Sequence, residues 1–386
     1  MAGKKNSSEM KKLTLLYFNP DCFTQVDDTV LHHLVDNFNV VWFYLYDSRC
    51  KNMMRYTPER AQNYADKHGI KLEIIDSQKR KRDPRNLFFF WKLAKLIKSY
   101  APDIIYSCLI DPYWYFVLFC FIRKPVKVVG VHDVNKHSYG GNISIMLMHL
   151  FKDYFVKKFD AALTFSPNQR DLFYKKYGKE SIMVGMSYKD FGKSSLLPGR
   201  IENGIKLLFF GTINEYKGLD SLISSLEDLF VSDGIRNIKL TIAGKGPYWS
   251  KCESLLKTPS LYNLRISFLD NCEIPDLMCS HHFLVLPYKD ATQSGPLVTA
   301  LNYNLPIIAP EYGCFVEIYK NNTALFYQPG YLRTALKRLS FITQDEYNEM
   351  RNGITAFKSD YSEECIAQNY IRAFLEVYNS AKTKNS

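Results

Sequence analysis

The sequence predicts an α/β protein of two doubly wound, parallel-sheet domains. Three observations carry that expectation. Short apolar runs alternate with helical patterns along the chain; one aperiodic stretch near 186–204 interrupts them; and 386 residues make about two domains of ordinary size. With 46% hydrophobic residues the chain can bury two sizeable cores, so disorder is not the default reading.

In the first half, LTLLYF (13–18) is a continuous apolar run, as a strand covered on both faces requires. VVWFYLY (40–46), KLEIID (71–76), DIIYSCL (103–109), VKVVGVHD (126–133) and AALTFS (161–166) follow as further strands. LFFFWKLAKLIKSY (87–100), with Pro102 just beyond it, reads as one of the intervening helices. Strands separated by helices pair in parallel. SYKDFGKSSLLPGRIENG, rich in Ser, Gly and Lys, reads as a linker. A second series then runs through IKLLFFG (205–211), IKLTIAG (238–244), RISFLD (265–270), HFLVLPY (282–288) and LPIIAP (305–310), before a helical tail. The expected organisation is an N-terminal domain over 10–188, a linker over 189–204 and a second domain over 205–362. A C-terminal helix, 363–386, is expected to pack back toward the first domain.

Several function classes are excluded early. The polar start MAGKKNSSEM lacks the apolar stretch of a signal peptide, and no run reaches the length of a membrane span. PYWYFVLFCFI (112–122) reads as a buried core helix, being short for a bilayer span, with a segment that dips into a membrane as the alternative. Nine cysteines without a CxxC pair point to reduced, cytoplasmic thiols and away from a structural zinc site. The formal charge of +11 is uneven: residues 1–200 hold 32 Lys+Arg against 19 Asp+Glu, and the remainder 18 against 20, so +13 and −2. The first half therefore expects an anionic partner. No nucleic-acid-binding motif accompanies the charge, so nucleic acid is set aside. An anionic membrane surface or a diphosphate-bearing acceptor fits better, with KRKRDPR (79–85) directly before LFFFW as a candidate contact.

The chemistry concentrates in three strand-to-helix turns of the second half. In VLPYKDATQSGPLVTALNYNLPIIAPEYG (285–313) a strand gives way to a polar loop, and Ser294-Gly295-Pro296 opens a helix. Ser is a good N-cap, Pro is tolerated in the first turn, and Gly lets a ligand approach free amides that attract anions. LLFFGTINEYKGLDSLISSL (207–226) repeats the theme with Lys217 at the helix start, and LTIAGKGPYW (240–249) puts two glycines after a strand. A capped helix is common in any α/β protein; three such turns in order are more specific.

Together these segments resemble the retaining glycosyltransferases of family 4, also called group 1, which have the GT-B fold of two Rossmann-like domains with the donor cleft between them. FGTINEYKGLDSLI is similar to the family's G-R…K-G-x-x-x-L-I segment, and TIAGKGP to its G-x-G-P turn. SGPLVTALNYNLPIIAPEYGCFVEIYKNNTALFYQPG is similar to its donor block, with a Gly-x-x-x-Glu loop at Gly313 and Glu317. The resemblance implies that Lys217 contacts the donor diphosphate. Gly211, Thr212, Gly244, Ser294, Gly295, Leu297, Thr299 and Glu317 would complete the donor site, with Asp270 and Asn271 bordering the nucleobase. Gln293 would face the sugar, and His132-Asp133 resembles the family's H-D at a strand end. The sequence departs from the family at Thr212, where an arginine is usual, and at Ala291 and Thr299, where many members carry glutamates.

The implied reaction is transfer of a hexose-type sugar, with retention and without a metal or cofactor, from a nucleotide diphosphate sugar, a UDP-sugar ahead of a GDP-sugar. The acceptor is expected to be a saccharide or polyprenyl-linked saccharide at the cytoplasmic face of the membrane, in bacterial surface polysaccharide synthesis. Two alternatives stay open: a non-catalytic nucleotide-sugar-binding subunit, or another enzyme on the same fold, such as a sugar-nucleotide epimerase or a phosphorylase.

Overall fold

A computed structural model describes residues 12–20, 24–48, 56–76, 83, 85–108, 117–134, 151–290, 294–320 and 322–385. The chain forms two compact units, one of residues 1–185 with 363–386, the other of 186–362. The first holds a seven-stranded parallel sheet: β1 (Leu13–Pro20), β2 (Phe38–Tyr46), β3 (Lys71–Asp76), β4 (Ile104–Ser107), β5 (Val126–Val131), β6 (Ala161–Thr164) and β7 (Ile182–Met183), in the order β3-β2-β1-β4-β5-β6-β7.

The apolar runs are continuous because both faces of this sheet are covered. Along β1, Leu15 and Tyr17 enter one core while Leu16 and Phe18 enter the other; β2 divides Trp42 and Tyr44 from Val41, Phe43 and Leu45 in the same way. The C-terminal helix Glu363–Asn385 belongs to the first of these cores, into which it sets Ile366, Tyr370, Ile371 and Phe374. Fully burying side chains of this size contributes roughly 1.5–3 kcal/mol each.

The second unit holds β8 (Ile205–Phe210), β9 (Ile238–Ala243), β10 (Tyr262–Arg265), β11 (Phe283–Val285), β12 (Ile307–Pro310) and β13 (Ala324–Tyr327), ordered β10-β9-β8-β11-β12-β13 and parallel throughout. Helix Leu219–Ser232 buries Leu219, Leu222, Ile223, Leu226 and Leu229, the spacing of one helical face. The strand expected at 265–270 is displaced to Tyr262–Arg265. It is an edge strand, Leu264 is 45% exposed, and pairing with β9 sets its position where burial does not. β7 and β13, two and four residues long, are too short for a periodic signal.

Residues 186–204 carry one 3-10 turn, Ile201–Asn203, and are fastened along the second unit: Tyr188 N–H donates to Tyr361 O at 3.0 Å and Phe191 N–H to the Tyr303 hydroxyl at 3.2 Å. In the aromatic run 112–122, Val117–Phe121 is a π-helix, with Leu118 and Ile122 in the core; residues 109–116 lie outside the described residues. Among the described residues no helix is long and apolar enough to cross a membrane.

Candidate functional site

In each sheet the strand order reverses once, between β1 and β4 in the first and between β8 and β11 in the second. Ligands of doubly wound sheets bind beyond the carboxyl ends of the strands at that reversal. In the second unit, the Gly211–Gly218 segment and the approach to Ser294 occupy this position.

Glycines let these turns close on one another. A Cβ on Gly244, which has φ 148°, would stand 1.9 Å from the Gly211 carbonyl oxygen; one on Gly218 would stand 2.0 Å from that of Pro287. Any side chain would push the turns after β8, β9 and β11 apart. Lys217 ends the 3-10 turn Glu215–Lys217 and is only 6% exposed. Its Nζ lies 3.1 Å from the point where a Gly211 Cβ would be, and Pro296 Cγ lies 3.2 Å from the same point. The ammonium therefore sits beside the start of helix Gly295–Asn302, 5.3 Å from the centre of the buried Tyr288 ring.

Ser294 caps that helix: its Oγ accepts the Leu297 N–H at 3.3 Å and stands 3.3 Å from the Tyr288 hydroxyl. Gly295 is exposed, and among the described residues nothing lies within 4 Å of where its side chain would project. A helix start carries about half a positive charge; Pro296 has no N–H and the Leu297 N–H is taken by Ser294, which leaves the Gly295 N–H facing outward. A buried ammonium and a helix start thus converge on open backbone, an arrangement suited to an anion with several oxygens. The loop after β11 is braced by Lys289, whose N–H donates to Tyr216 O at 2.6 Å and whose Nζ pairs with Asp220 at 3.0 Å.

The structure brings Gly211, Lys217, Gly244, Ser294, Gly295 and Leu297 into this one locality. Thr212 is half-buried beside Gly211. Thr299 is buried, and its hydroxyl donates to Gly295 O at 2.9 Å, so its proton serves the helix's own first turn. Glu317 is half-buried on the short helix Cys314–Ile318, whose Phe315 packs on Tyr288; burial, then Asp360 and then Glu317 push Tyr361 up to about 12. Asp270 and Asn271 are exposed beyond β10, where the Asp270 N–H is taken up by the Glu273 carboxylate at 3.0 Å. Gln293 lies outside the described residues.

Sequence reasoning missed Phe268. It is 74% exposed in the loop after β10, with Lys245 Nζ 5.7 Å from its ring centre. A flat ring beside a cation at a strand's carboxyl end can stack on a base; in the sequence it is concealed within RISFLD, which reads as a strand. In the first unit, His132 and Asp133 follow β5 and are half-buried. The His132 ring stacks on Phe165 at 3.9 Å and 8°. Lys152 Nζ donates to Asp133 O at 3.2 Å, and burial holds that lysine below the usual range.

Comparison with known proteins agrees with this layout. Over the whole chain, the structure is similar to a glycosyltransferase of Rickettsia africae ESF-5, at TM-score 0.69 and 16% identity, covering 98% of this chain and 100% of that one. It is likewise similar to HepE of Anabaena in complex with UDP, at TM-score 0.71 and 13% identity, covering 94% and 100%. The fold is GT-B. Within the second GT-B domain, residues 204–340 match the family model described as glycosyl transferases group 1, a stretch that contains every turn described above. The GDP-mannose:glycolipid 4-beta-D-mannosyltransferase of Xanthomonas campestris pv. campestris is 35% identical over 122 residues, 31% of this chain and 32% of that enzyme. The match spans about a third of the length of the curated relatives.

Proposed function

We propose that the protein is a retaining, metal-independent glycosyltransferase that moves a sugar from a nucleoside diphosphate sugar to a saccharide or lipid-linked saccharide in bacterial surface polysaccharide synthesis. One observation carries the reading: the buried Lys217 ammonium stands at the start of helix Gly295–Asn302, where the Gly295 backbone is open. As the bond from the sugar's anomeric carbon to the diphosphate breaks, negative charge grows on the leaving phosphate. Lys217 and the Gly295 N–H at the helix start stabilise that charge without reorganising, as an oxyanion hole does. His132, Asp133 and Gln293 are assigned to orienting the sugar and the incoming hydroxyl, whose proton leaves with the diphosphate.

A UDP-sugar is the first choice of donor, in line with a GT-B neighbour that holds UDP. A GDP-sugar is the second, because a GDP-mannose-dependent enzyme shares 35% identity over part of the chain. The relative's glycolipid acceptor and the exposed face of helix Asn86–Ser99 both favour an acceptor at an anionic membrane, with the protein bound peripherally at its cytoplasmic face. That helix presents Leu87, Phe88 and Trp91, with Lys92 over the Phe88 ring at 4.6 Å and Lys95 over the Trp91 ring at 3.8 Å. Of KRKRDPR, only Asp83 and Arg85 are described, and they pair with each other.

Thermal shift of the purified chain against UDP-, GDP-, ADP- and dTDP-sugars tests the donor, since a ligand stabilises according to its affinity. Slow release of free sugar that Lys217→Ala abolishes supports catalysis. Binding with no release of sugar under any condition would favour the non-catalytic subunit, the reading kept open by Thr212 and Thr299.

A further inference from the structure

The first unit contains a histidine cluster with no part in the proposed transfer. His32 and His33 lie on the helical turn Leu31–Leu34, and Glu363 opens the C-terminal helix. One ligand atom from each of the three falls within 4.8 Å of the other two. The His32 and His33 rings are 4.0 Å apart, and the His68 ring is 4.9 Å from that of His32.

Hydrogen bonds settle which His32 nitrogen carries a proton. The Tyr64 hydroxyl donates to Asp28 O at 2.6 Å, which commits its one proton. Its oxygen accepts the His32 backbone N–H at 3.1 Å. His32 Nδ1 stands 3.0 Å from that oxygen and 3.2 Å from Asp28 O, both acceptors, so Nδ1 bears the hydrogen. Nε2 then turns a lone pair toward the Glu363 carboxylate, 3.9 Å away. A metal ion or a proton can be shared between two such lone pairs, and His33 offers a third ligand atom beside them. The neighbouring rings favour the metal, because His33 and His68 bring further imidazole nitrogens to the same spot.

We propose that His32, His33 and Glu363 bind a zinc ion, with His68 or water in the fourth position, and that the ion fastens the start of the C-terminal helix to the turn Leu31–Leu34. Imidazole and carboxylate donors suit Zn2+, and an Nδ1–H held by a carbonyl or hydroxyl is the usual orienting partner of a metal-bound histidine. Tetrahedral zinc with bonds of about 2.0–2.1 Å places its ligands about 3.4 Å apart. The three ligand atoms, now within 4.8 Å of one another, would close to that spacing around the ion. The site is structural and supplies nothing to the transfer.

The test uses the full chain with any affinity tag removed, stripped by chelator and titrated with Zn2+ by calorimetry and thermal shift. We expect saturable binding of one Zn2+ per chain, a rise in Tm that chelator reverses, and visible absorption bands on Co2+ substitution. His33→Gln and Glu363→Gln should each weaken Zn2+ binding at least tenfold while keeping the metal-free Tm and circular dichroism, since neither side chain fills the core. Absence of saturable binding overturns the proposal, as does binding that both variants leave intact. A Tm that depends on pH but not on Zn2+ would show that the cation is a proton, and overturns it equally.

Discussion

Lys217 has the most demanding electrostatics of the second unit. A 6% exposed ammonium beside a helix start is placed to meet a diphosphate. Replacing Lys217 by Ala removes a charge-assisted contact worth about 1.5–3 kcal/mol. Donor affinity by calorimetry should fall roughly 10- to 150-fold; equal donor affinity in the variant would remove Lys217 from the site. Gly244→Ala acts through the backbone instead. Its methyl would meet the Gly211 oxygen at 1.9 Å and hold φ at 148°, so the second unit should lose on the order of 3 kcal/mol in urea unfolding. Phe268→Ala leaves folding alone and is expected to weaken nucleotides with large bases more than free diphosphate, measured by competition.

At the scale of elements, helix Asn86–Ser99 has two unlike faces. Phe90, Leu93, Ala94 and Ile97 are buried, while Leu87, Phe88 and Trp91 are exposed beside lysines. A helix that needed only solvent on its outer face would carry no such ring pair. Phe88→Glu with Trp91→Glu should reduce binding to vesicles containing anionic lipid at least tenfold in a flotation assay. Wild-type binding should weaken steeply with salt, because the lysine contribution is screened over about 8–10 Å. Binding that ignores both salt and the substitutions would place the membrane contact elsewhere. Helix Gly295–Asn302 shows the complementary case: eight residues, little intrinsic stability, and a role set by what its first turn faces.

Across the whole molecule, the two units differ in their response to acid, because a raised carboxyl in the first offsets its two lowered histidines, His33 and His68. In the second, burial pushes His281 and His282 down to about 4. His282 Nδ1 accepts the Lys206 N–H at 2.9 Å and Nε2 faces Gly199 O at 3.3 Å, so the folded ring is neutral. Unfolded histidines take up protons near 6.5, and the stability from these two is therefore lost as pH falls from about 6.5 toward 4. In the first unit, burial raises Asp27 to about 8, against hydrogen bonds from Asn19 and Tyr17 at 2.9 Å. A carboxyl that stays protonated when folded withdraws stability as pH rises from about 4 to 8. Lowering pH from 7.5 to 5 should thus shift unfolding of the second unit to lower urea relative to the first, followed by tryptophan signals (Trp42 and Trp91 against Trp249). A parallel shift of both units would contradict this assignment. Removing residues 363–386 should destabilise the first unit alone, since Ile366, Tyr370 and Phe374 fill its core.

The fold class and the position of the main elements were legible in the sequence, because strand runs, helical periodicity and turn residues are local signals. LTLLYF, KLEIID and SGPLVTAL each announce their structure within a few residues, and the resemblance of 205–330 to a known family followed from such segments in order. The turns of the second unit were legible for the same reason. What only the tertiary structure decided are meetings between distant residues. Lys217 next to Pro296, Gly244 against Gly211, Phe268 beside Lys245, and Glu363 opposite His32 depend on strand order and helix docking, and no local pattern encodes those. The cysteine spacing pointed away from zinc, yet it was silent about a carboxylate returning from the far end of the chain. Composition and periodicity set how each segment folds; long-range packing sets which polar groups face one another, and the chemistry of this protein lies in those pairings.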